Sequence, residues 1–352
     1  MNKTSFRRAI VAVVVSCFLG SPAMASLKKI TLIQPVPAID IRNAPWAVAQ
    51  EMGWLAESGI DLEIQFTKGS AILIQQLMSR NAQYGMATPE PALIAMSRGT
   101  KLKFFYASTT KNPFPLVVME NSPVKDLKDL KGTTIGLHSL TAVQYFTTQS
   151  IMRSADLKMP EDFQFVEVGA GPAALKALQN RQISALNTNI FNYAGFENRG
   201  AKFRYLSSPE VEPIFGWSLA TTPEYLESNR EEAISLGRAF AKGNAYCRAN
   251  AEDCVRIFLK RFPTVQTPGV STEQTIADQI GILAKFFEYA QPTPGHPFGW
   301  YDPAAWAAVV DYMLSSGQLT QSVDPSILYT NDLLDEINKF DVKAITTAGQ
   351  IH

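Results

Sequence analysis

The chain has 352 residues, with 32 Lys and Arg against 32 Asp and Glu, and 46% of its residues are hydrophobic. That length is enough for two lobes with their own cores, and the charge balance gives no electrostatic reason to bind nucleic acid or an anionic membrane. Three histidines (His138, His296 and His352) in unrelated contexts, with no cysteine cluster, leave no metal-ligand pattern and no cofactor signature.

At the start, Lys3, Arg7 and Arg8 form a positive region ahead of an apolar run over 9–19. Ser21 and Pro22 break that run, and Ala23-Met24-Ala25 supplies the small residues a signal peptidase reads. The run is too short for a permanent span, which needs roughly 20 residues. Cys17 after Val14-Val15-Ser16 loosely resembles a lipoprotein box but lacks its usual leucine. The expectation is a signal peptide over 1–25, cleaved after Ala25, and a periplasmic location. Three of the 32 basic residues lie in that segment, so cleavage leaves 327 residues with 29 basic and 32 acidic. No later apolar stretch is long enough to cross a bilayer.

Beyond residue 25, short apolar strands alternate with amphipathic helices, the pattern of an α/β protein with largely parallel sheets. The pattern predicts strands over 29–34, 61–66, 102–106, 134–137 and 163–168. It predicts helices over 45–57, 70–79, 90–98, 142–154 and 172–180, with a further helix pattern over 304–314. Residues 77–106 align without a gap to residues 178–207 at a constant offset of 101. Leu77 matches Leu178, Arg80 matches Arg181, Arg98-Gly99 matches Arg199-Gly200 and Lys101 matches Lys202. Each copy reads as a helix end, a short strand, a polar loop, a helix, then Arg-Gly and a strand; the expectation is two similar α/β lobes, with chance similarity between two ordinary α/β units as the alternative.

Proline-bearing breaks flank the second copy: Lys111-Asn112-Pro113-Phe114-Pro115, and Ser207-Ser208-Pro209 through Pro213. They are read as two crossings between lobes. The expected layout is a first lobe from 26–110 and 222–352 and a second lobe from 111–221, with the C-terminal helices packing back on the first. Cys247 and Cys254 survive cleavage. In one straight helix their Cα atoms would lie about 10 Å apart, too far for a disulfide. Arg248-Ala249-Asn250 before Ala251-Glu252-Asp253 reads as a helix end and restart, however, so a turn there leaves both a disulfide and two buried thiols open.

Several segments together resemble a known family. They are Ala44-Pro45-Trp46-Ala47-Val48-Ala49, then Gly53-Trp54-Leu55-Ala56-Glu57-Ser58-Gly59-Ile60-Asp61-Leu62-Glu63, then Gly69-Ser70. Asp126-Leu127-Lys128-Asp129-Leu130-Lys131-Gly132 with Ile135-Gly136 follows, and near the end come Trp306, Gly317-Gln318-Leu319 and Leu328-Tyr329-Thr330-Asn331-Asp332. In this order they resemble the ABC-transporter substrate-binding proteins of the nitrate, sulfonate, taurine and pyrimidine-precursor type, the NMT1/THI5-like family. The resemblance runs from about residue 28 to 338. It implies a type II periplasmic-binding-protein fold, with two α/β lobes, a two-strand hinge and a ligand cleft between them. It also implies delivery of a small molecule to an ABC permease in the inner membrane, and a monomer is expected.

In open sheets ligands sit at the carboxyl ends of strands, where loops enter helix N-termini. That rule nominates the loop after the first strand. Arg42 there has a fork suited to a carboxylate or sulfonate, with a solvated surface arginine as the alternative. Trp46 offers a stacking wall, or packing under its helix. In the duplicated loops Thr88 and Asn189 hold the same position, beside Asn187. Glu90 either holds an amine or complements its helix dipole. Leu137-His138-Ser139-Leu140-Thr141 opens a helix, so its amides and the Ser139 and Thr141 hydroxyls form the expected anion site, with ordinary capping as the alternative. His138 is expected to touch the ligand or to tune affinity with pH. Thr109 and Trp217, near the two crossings, complete the ring.

An aromatic carboxylate or a sulfonate is the favoured ligand, with an amine-bearing or pyrimidine ligand as the alternative if Glu90 faces the cleft. An extracytoplasmic sensor subunit would read the same closed lobes. An enzyme is disfavoured: the family's pyrimidine-precursor synthases use a cysteine-rich motif, a histidine and pyridoxal phosphate. Neither that cysteine motif nor a G-x-S-x-G elbow, a P-loop or a helix-opening G-x-G-x-x-G occurs here.

Overall fold

The computed structural model describes residues 26–348, except 207, 209, 210, 267 and 268. The expected signal peptide and parts of the second break, Ser207 and Pro209, lie outside the described residues. Among the described residues ten strands form: β1 (Lys28–Gln34), β2 (Ile60–Phe66), β3 (Tyr84–Ala87), β4 (Lys103–Ala107), β5 (Leu116–Met119), β6 (Thr133–Leu137), β7 (Phe163–Glu167), β8 (Ala185–Asn187), β9 (Phe203–Leu206) and β10 (Ser218–Thr221). They make two five-stranded sheets, ordered β2-β1-β3-β10-β4 and β7-β6-β8-β5-β9. In each, three strands pair in parallel and one strand from beyond a crossing inserts antiparallel between two others. Two lobes of one topology result, as the alternating pattern predicts.

The inner strands β3, β8 and β10 are buried along their whole length because both faces of the sheet are covered there. Along β5 the side chains alternate with period two: Val117 joins one apolar cluster, while Leu116 and Val118 join the other. Both clusters contain residues of both sheets, so the lobes share their cores near the crossings.

The duplication is visible in the backbone. Arg80 and Arg181 both adopt left-handed conformations, at φ 59° and 58°, and Gly99 and Gly200 both sit at φ 88°. Each pair is 101 residues apart. A non-glycine residue at such an angle is uncommon, so its recurrence at the same place marks one fold used twice.

The helices are α1 (Ala44–Glu51), α2 (Ser70–Met78), α3 (Pro89–Ser97), α4 (Val143–Arg153), α5 (Pro172–Gln179), α6 (Ile190–Glu197), α7 (Pro223–Ser228), α8 (Arg230–Ala249), α9 (Ala251–Arg261), α10 (Thr272–Tyr289), α11 (Pro303–Ser315), α12 (Leu334–Ile337) and α13 (Val342–Thr347). The helix expected over 45–57 ends at Glu51, because the chain turns at Gly53, φ 74°. Asn250 separates α8 from α9, and the turn brings the Cα atoms of Cys247 and Cys254 to 5.1 Å in a disulfide. Of the two open readings, the bridge is the one that forms.

Two boundaries differ from the expected layout. Residues 218–221 were expected in the second lobe, but β10 completes the first sheet by pairing with β3 and β4. A four-residue strand buried along its whole length carries no pattern that tells which sheet it joins. Likewise the C-terminal region does not pack on the first lobe alone. Phe286 of α10 meets Phe191 of α6 at 5.6 Å, and the Asn198 side chain donates to the Asp278 carbonyl, so α10 lies on the second lobe.

Candidate functional site

The C-terminal ends of the parallel strands of both sheets converge on a narrow cleft. Its first-lobe wall is Pro35, Val36, Gly69 and Ser70, and its second-lobe wall is His138, Ala142, Val143, Gln144 and Asn189. Phe114 from the first crossing and Trp217 from the second close its back. The space these residues enclose is only about 10 Å³, room for about one water molecule, so the lobes stand nearly closed on each other and a ligand enters only as they part. Larger hollows lie at the opposite ends of the sheets, beside Arg80 in one lobe and Arg181 in the other, and along the crossings, beside Thr110 and beside Lys111. The cleft is the candidate site, because loops and helix N-termini of both lobes meet at that end.

The lobes touch across its mouth. Gly69 sits at φ 129°, and a Cβ there would fall 2.8 Å from the Thr141 carbonyl oxygen and 3.0 Å from Ala142 Cα. Glycine is needed for both the backbone angle and the approach. The Thr141 hydroxyl donates to the Lys68 carbonyl at 2.8 Å, a direct hydrogen bond between lobes. Helices α2 and α4 begin on either side of this contact, and neither N-terminus has a side-chain cap. Their first-turn amides and dipoles favour negative charge in the cleft.

Arg42 does not offer a free fork. Its Nε donates to both Asp40 carboxylate oxygens at 3.0 and 3.1 Å, and its Nη2 pairs with the same carboxylate. Its guanidinium lies 4.3 Å from the Trp217 ring centre and 5.2 Å from that of Phe191. The side chain is 12% exposed. It therefore ties the first-lobe loop to aromatic rings of the second crossing and the second lobe, and its charge is already balanced.

Ser139 accepts from the Thr141 amide at 3.2 Å, so this pair braces its own loop as well as joining the lobes. His138 is buried, its amide donating to the Asn187 carbonyl. Burial, then the Arg42 charge, push its imidazole down to about 4 against the opposing pull of Glu167 and Asp40. The ring is thus neutral near pH 7, and its Nδ1 has no partner in the protein.

Of the eleven sequence candidates only His138, Asn189 and Trp217 line the cleft; besides Arg42, Ser139, Thr141 and Thr88, four more lie outside it. Trp46 is fully buried and stacks on Phe240 of α8 at 4.4 Å, under its helix rather than in the cleft wall. Residues 44–49 are all buried, so no exposed face existed to present it. Glu90 accepts from the Tyr312 hydroxyl at 2.6 Å, is 1% exposed and lines no cleft; burial pushes its carboxyl up to about 7. Thr109 accepts from the Gly216 amide at 3.1 Å and clasps the two crossings. Asn187 donates to the Phe114 carbonyl and the Thr148 hydroxyl, holding the first crossing on the second lobe.

Thr88 and Asn189 occupy matching N-cap positions, but only Asn189 lines the cleft. Its side-chain oxygen accepts from the Phe191 and Asn192 amides. The Thr88 hydroxyl instead meets Ser70. Trp217 is where the sequence placed it, edge-on to Phe114 at 4.9 Å.

Eight lining residues were missed: Pro35, Val36, Gly69, Ser70, Phe114, Ala142, Val143 and Gln144. Phe114 stands between the prolines of the first crossing, a signal that was available, and Gln144 opens the helix that follows the nominated loop. Among the described residues no group of three or more His, Cys, Asp or Glu is placed to hold a metal ion.

A family model described as NMT1/THI5 like matches residues 41–254. The chain is 20% identical over 315 residues to the riboflavin-binding protein RibY of Chloroflexus aurantiacus, covering 89% of this chain and 88% of that protein. It is 22% identical over 286 residues to the formylaminopyrimidine-binding protein of Halalkalibacterium halodurans, covering 78% of this chain and 82% of that one. Among solved structures, the periplasmic aliphatic sulphonate binding protein SsuA of Escherichia coli superposes with a TM-score of 0.60 at 16% identity, covering 85% of this chain and 96% of that chain.

Proposed function

The chain belongs to the NMT1/THI5-like family, and from that premise we propose that it is an exported solute-binding protein. On this reading it closes two lobes on a small, flat organic molecule and hands it unchanged to an ABC permease in the inner membrane. The observation that carries the reading is the cleft whose back is made of one aromatic from each crossing, Phe114 and Trp217. A ring held there contacts the hinge itself, so ligand stabilises the closed arrangement that supplies its walls. Naming of both relatives as binding proteins supports capture rather than chemistry. The disulfide between Cys247 and Cys254 suits the oxidising periplasm.

For the ligand, an aromatic carboxylate or sulfonate finds support in the two uncapped helix N-termini. Arg42, paired with Asp40, adds none. A nitrogen heterocycle finds support in the two relatives, named for riboflavin and a formylaminopyrimidine.

The test is thermal unfolding of the mature protein, stripped of ligand by denaturation and refolding. The panel holds aromatic carboxylates, alkyl and aryl sulfonates, taurine, nitrate and aminopyrimidines. A saturable rise with one class is the expected result, since a ligand that binds only the native state stabilises it by RT ln(1 + [L]/Kd). A well-folded protein with no shift across the panel, and no small molecule released when it is denatured, counts against the reading.

A further inference from the structure

We propose that Gln144 is a specificity-determining residue of the cleft, and that it selects a planar nitrogen heterocycle presenting an N–H donor over an acceptor-only acid. The inference rests on the solute-binding reading above and narrows its ligand. Gln144 lies in the first turn of α4, lines the cleft and is 3% exposed. Its Nε2 donates to the Thr188 carbonyl at 2.8 Å. A carbonyl only accepts, so the chemistry of that partner fixes which end of the amide faces it. The atom left over is Oε1, a buried acceptor with no partner in the protein.

A buried acceptor without a donor is costly, and sites built on such groups reject ligands that leave them unpaired. Carboxylates and sulfonates carry only acceptors at neutral pH and would set oxygen against oxygen at Gln144. An imide ring or an exocyclic amine supplies the missing N–H. His138, which lines the same cleft from the adjoining loop and is 7% exposed, carries a second buried orphan, Nδ1. A neutral imidazole nitrogen accepts in one tautomer and donates in the other, so it suits the acceptor or second donor that flanks an N–H on such a ring. Phe114 and Trp217 supply flat apolar surface beside this polar pair.

The experiment compares ring probes that differ only in the donor. Cytosine, uracil and lumichrome are titrated into the stripped full-length mature protein beside N-methylated counterparts such as 1,3-dimethyluracil, and beside benzoate and benzenesulfonate. The expected result is saturable binding of an N–H probe, with methylation weakening it about tenfold or more, the scale of one buried hydrogen bond. In Gln144→Leu the parent and its methylated form should bind alike. The methylation comparison on the unmutated protein stands even where that variant fails to fold.

The inference is overturned by benzoate or benzenesulfonate binding more tightly than every N–H probe, by methylation that costs nothing, or by Gln144→Leu weakening both forms equally. It is also overturned if no N–H probe binds. Binding of the acids alone sinks this inference and leaves the solute-binding reading standing. Failure of every probe, with no small molecule released on denaturation, sinks the reading itself.

Discussion

The two copies of the repeated unit share a backbone and differ in what the same position does. Glu90 and Phe191 are 101 residues apart, each in the first turn of its helix, α3 or α6. Glu90 turns to the C-terminal helix α11 and is sealed against Tyr312. Phe191 turns to the hinge, 5.5 Å from Trp217 and under the Arg42 guanidinium. The N-caps diverge likewise: Asn189 closes the end of α6, while Thr88 leaves α3 uncapped and bonds to Ser70. Duplication has preserved the turn geometry, with its left-handed arginine and glycine, and freed the loop side chains. One copy uses them to fasten the C-terminal helices, the other to build the back of a cleft.

The largest expected effect separates these roles at the aromatic position. Phe191→Ala removes a buried ring that also meets Phe286, and truncations of this kind cost about 3–5 kcal/mol. Denaturant unfolding should show that loss, and ligand affinity should fall with it. Unchanged affinity in the folded variant would detach Phe191 from the cleft.

Next comes the pH dependence of the other copy. The Glu90 carboxyl stands at about 7, against 4.5 for an ordinary glutamate, chiefly through burial. The folded chain therefore holds this proton more tightly than the unfolded chain does. The stabilisation is complete below about 4.5 and is lost as pH rises through about 7, a change of about 3 kcal/mol. Glu90→Gln keeps an acceptor for Tyr312 and should flatten that part of the stability profile between pH 5 and 8. A variant whose profile retains the same slope would show that another group is responsible.

A smaller effect is expected at the mouth. Thr141→Val deletes the hydrogen bond to the Lys68 carbonyl, worth about 0.5–1.5 kcal/mol. Ligand affinity should fall by about tenfold at most, and unliganded stability should move less than affinity does. Equal losses in both would place the bond in folding rather than in closure.

No effect is expected at His138 in the physiological range. With its imidazole pushed down to about 4, affinity for an uncharged ligand should be constant from pH 5.5 to 8. Tighter binding at pH 5.5 that disappears in His138→Asn would show a protonated ring at work and restore the pH-tuning role expected of it.

Much of this comparison was legible in the sequence. The constant offset of 101 located both copies, and the helix restart at Asn250 allowed the disulfide that forms. The partner of Arg42 was also in plain view, two residues earlier at Asp40, where the turn that Asp40 caps folds the side chain back. Other features depend on information that no local pattern carries. Strand β10 is short and buried throughout, so its side chains do not tell which sheet it joins. Helix α10 is amphipathic whichever lobe it covers. Trp46 and Phe114 were equally apolar, and their destinations were set by the crossing of α1 over α8 and by the hinge. At that crossing Gly243 leaves room for the Pro45 carbonyl, which would lie 2.1 Å from an added Cβ.

The exchange of strands at the crossings also governs how the molecule comes into being. The slot between β3 and β4 is filled by residues 218–221, which follow the whole of the second sheet in the chain. A nascent chain ending before Ser218 has no way to complete its first sheet, whatever the quality of the helices around it. Assembly of the N-terminal half must therefore wait on the C-terminal half, and the two lobes are inseparable as gene fragments: a cut anywhere between them leaves one sheet missing an inner strand.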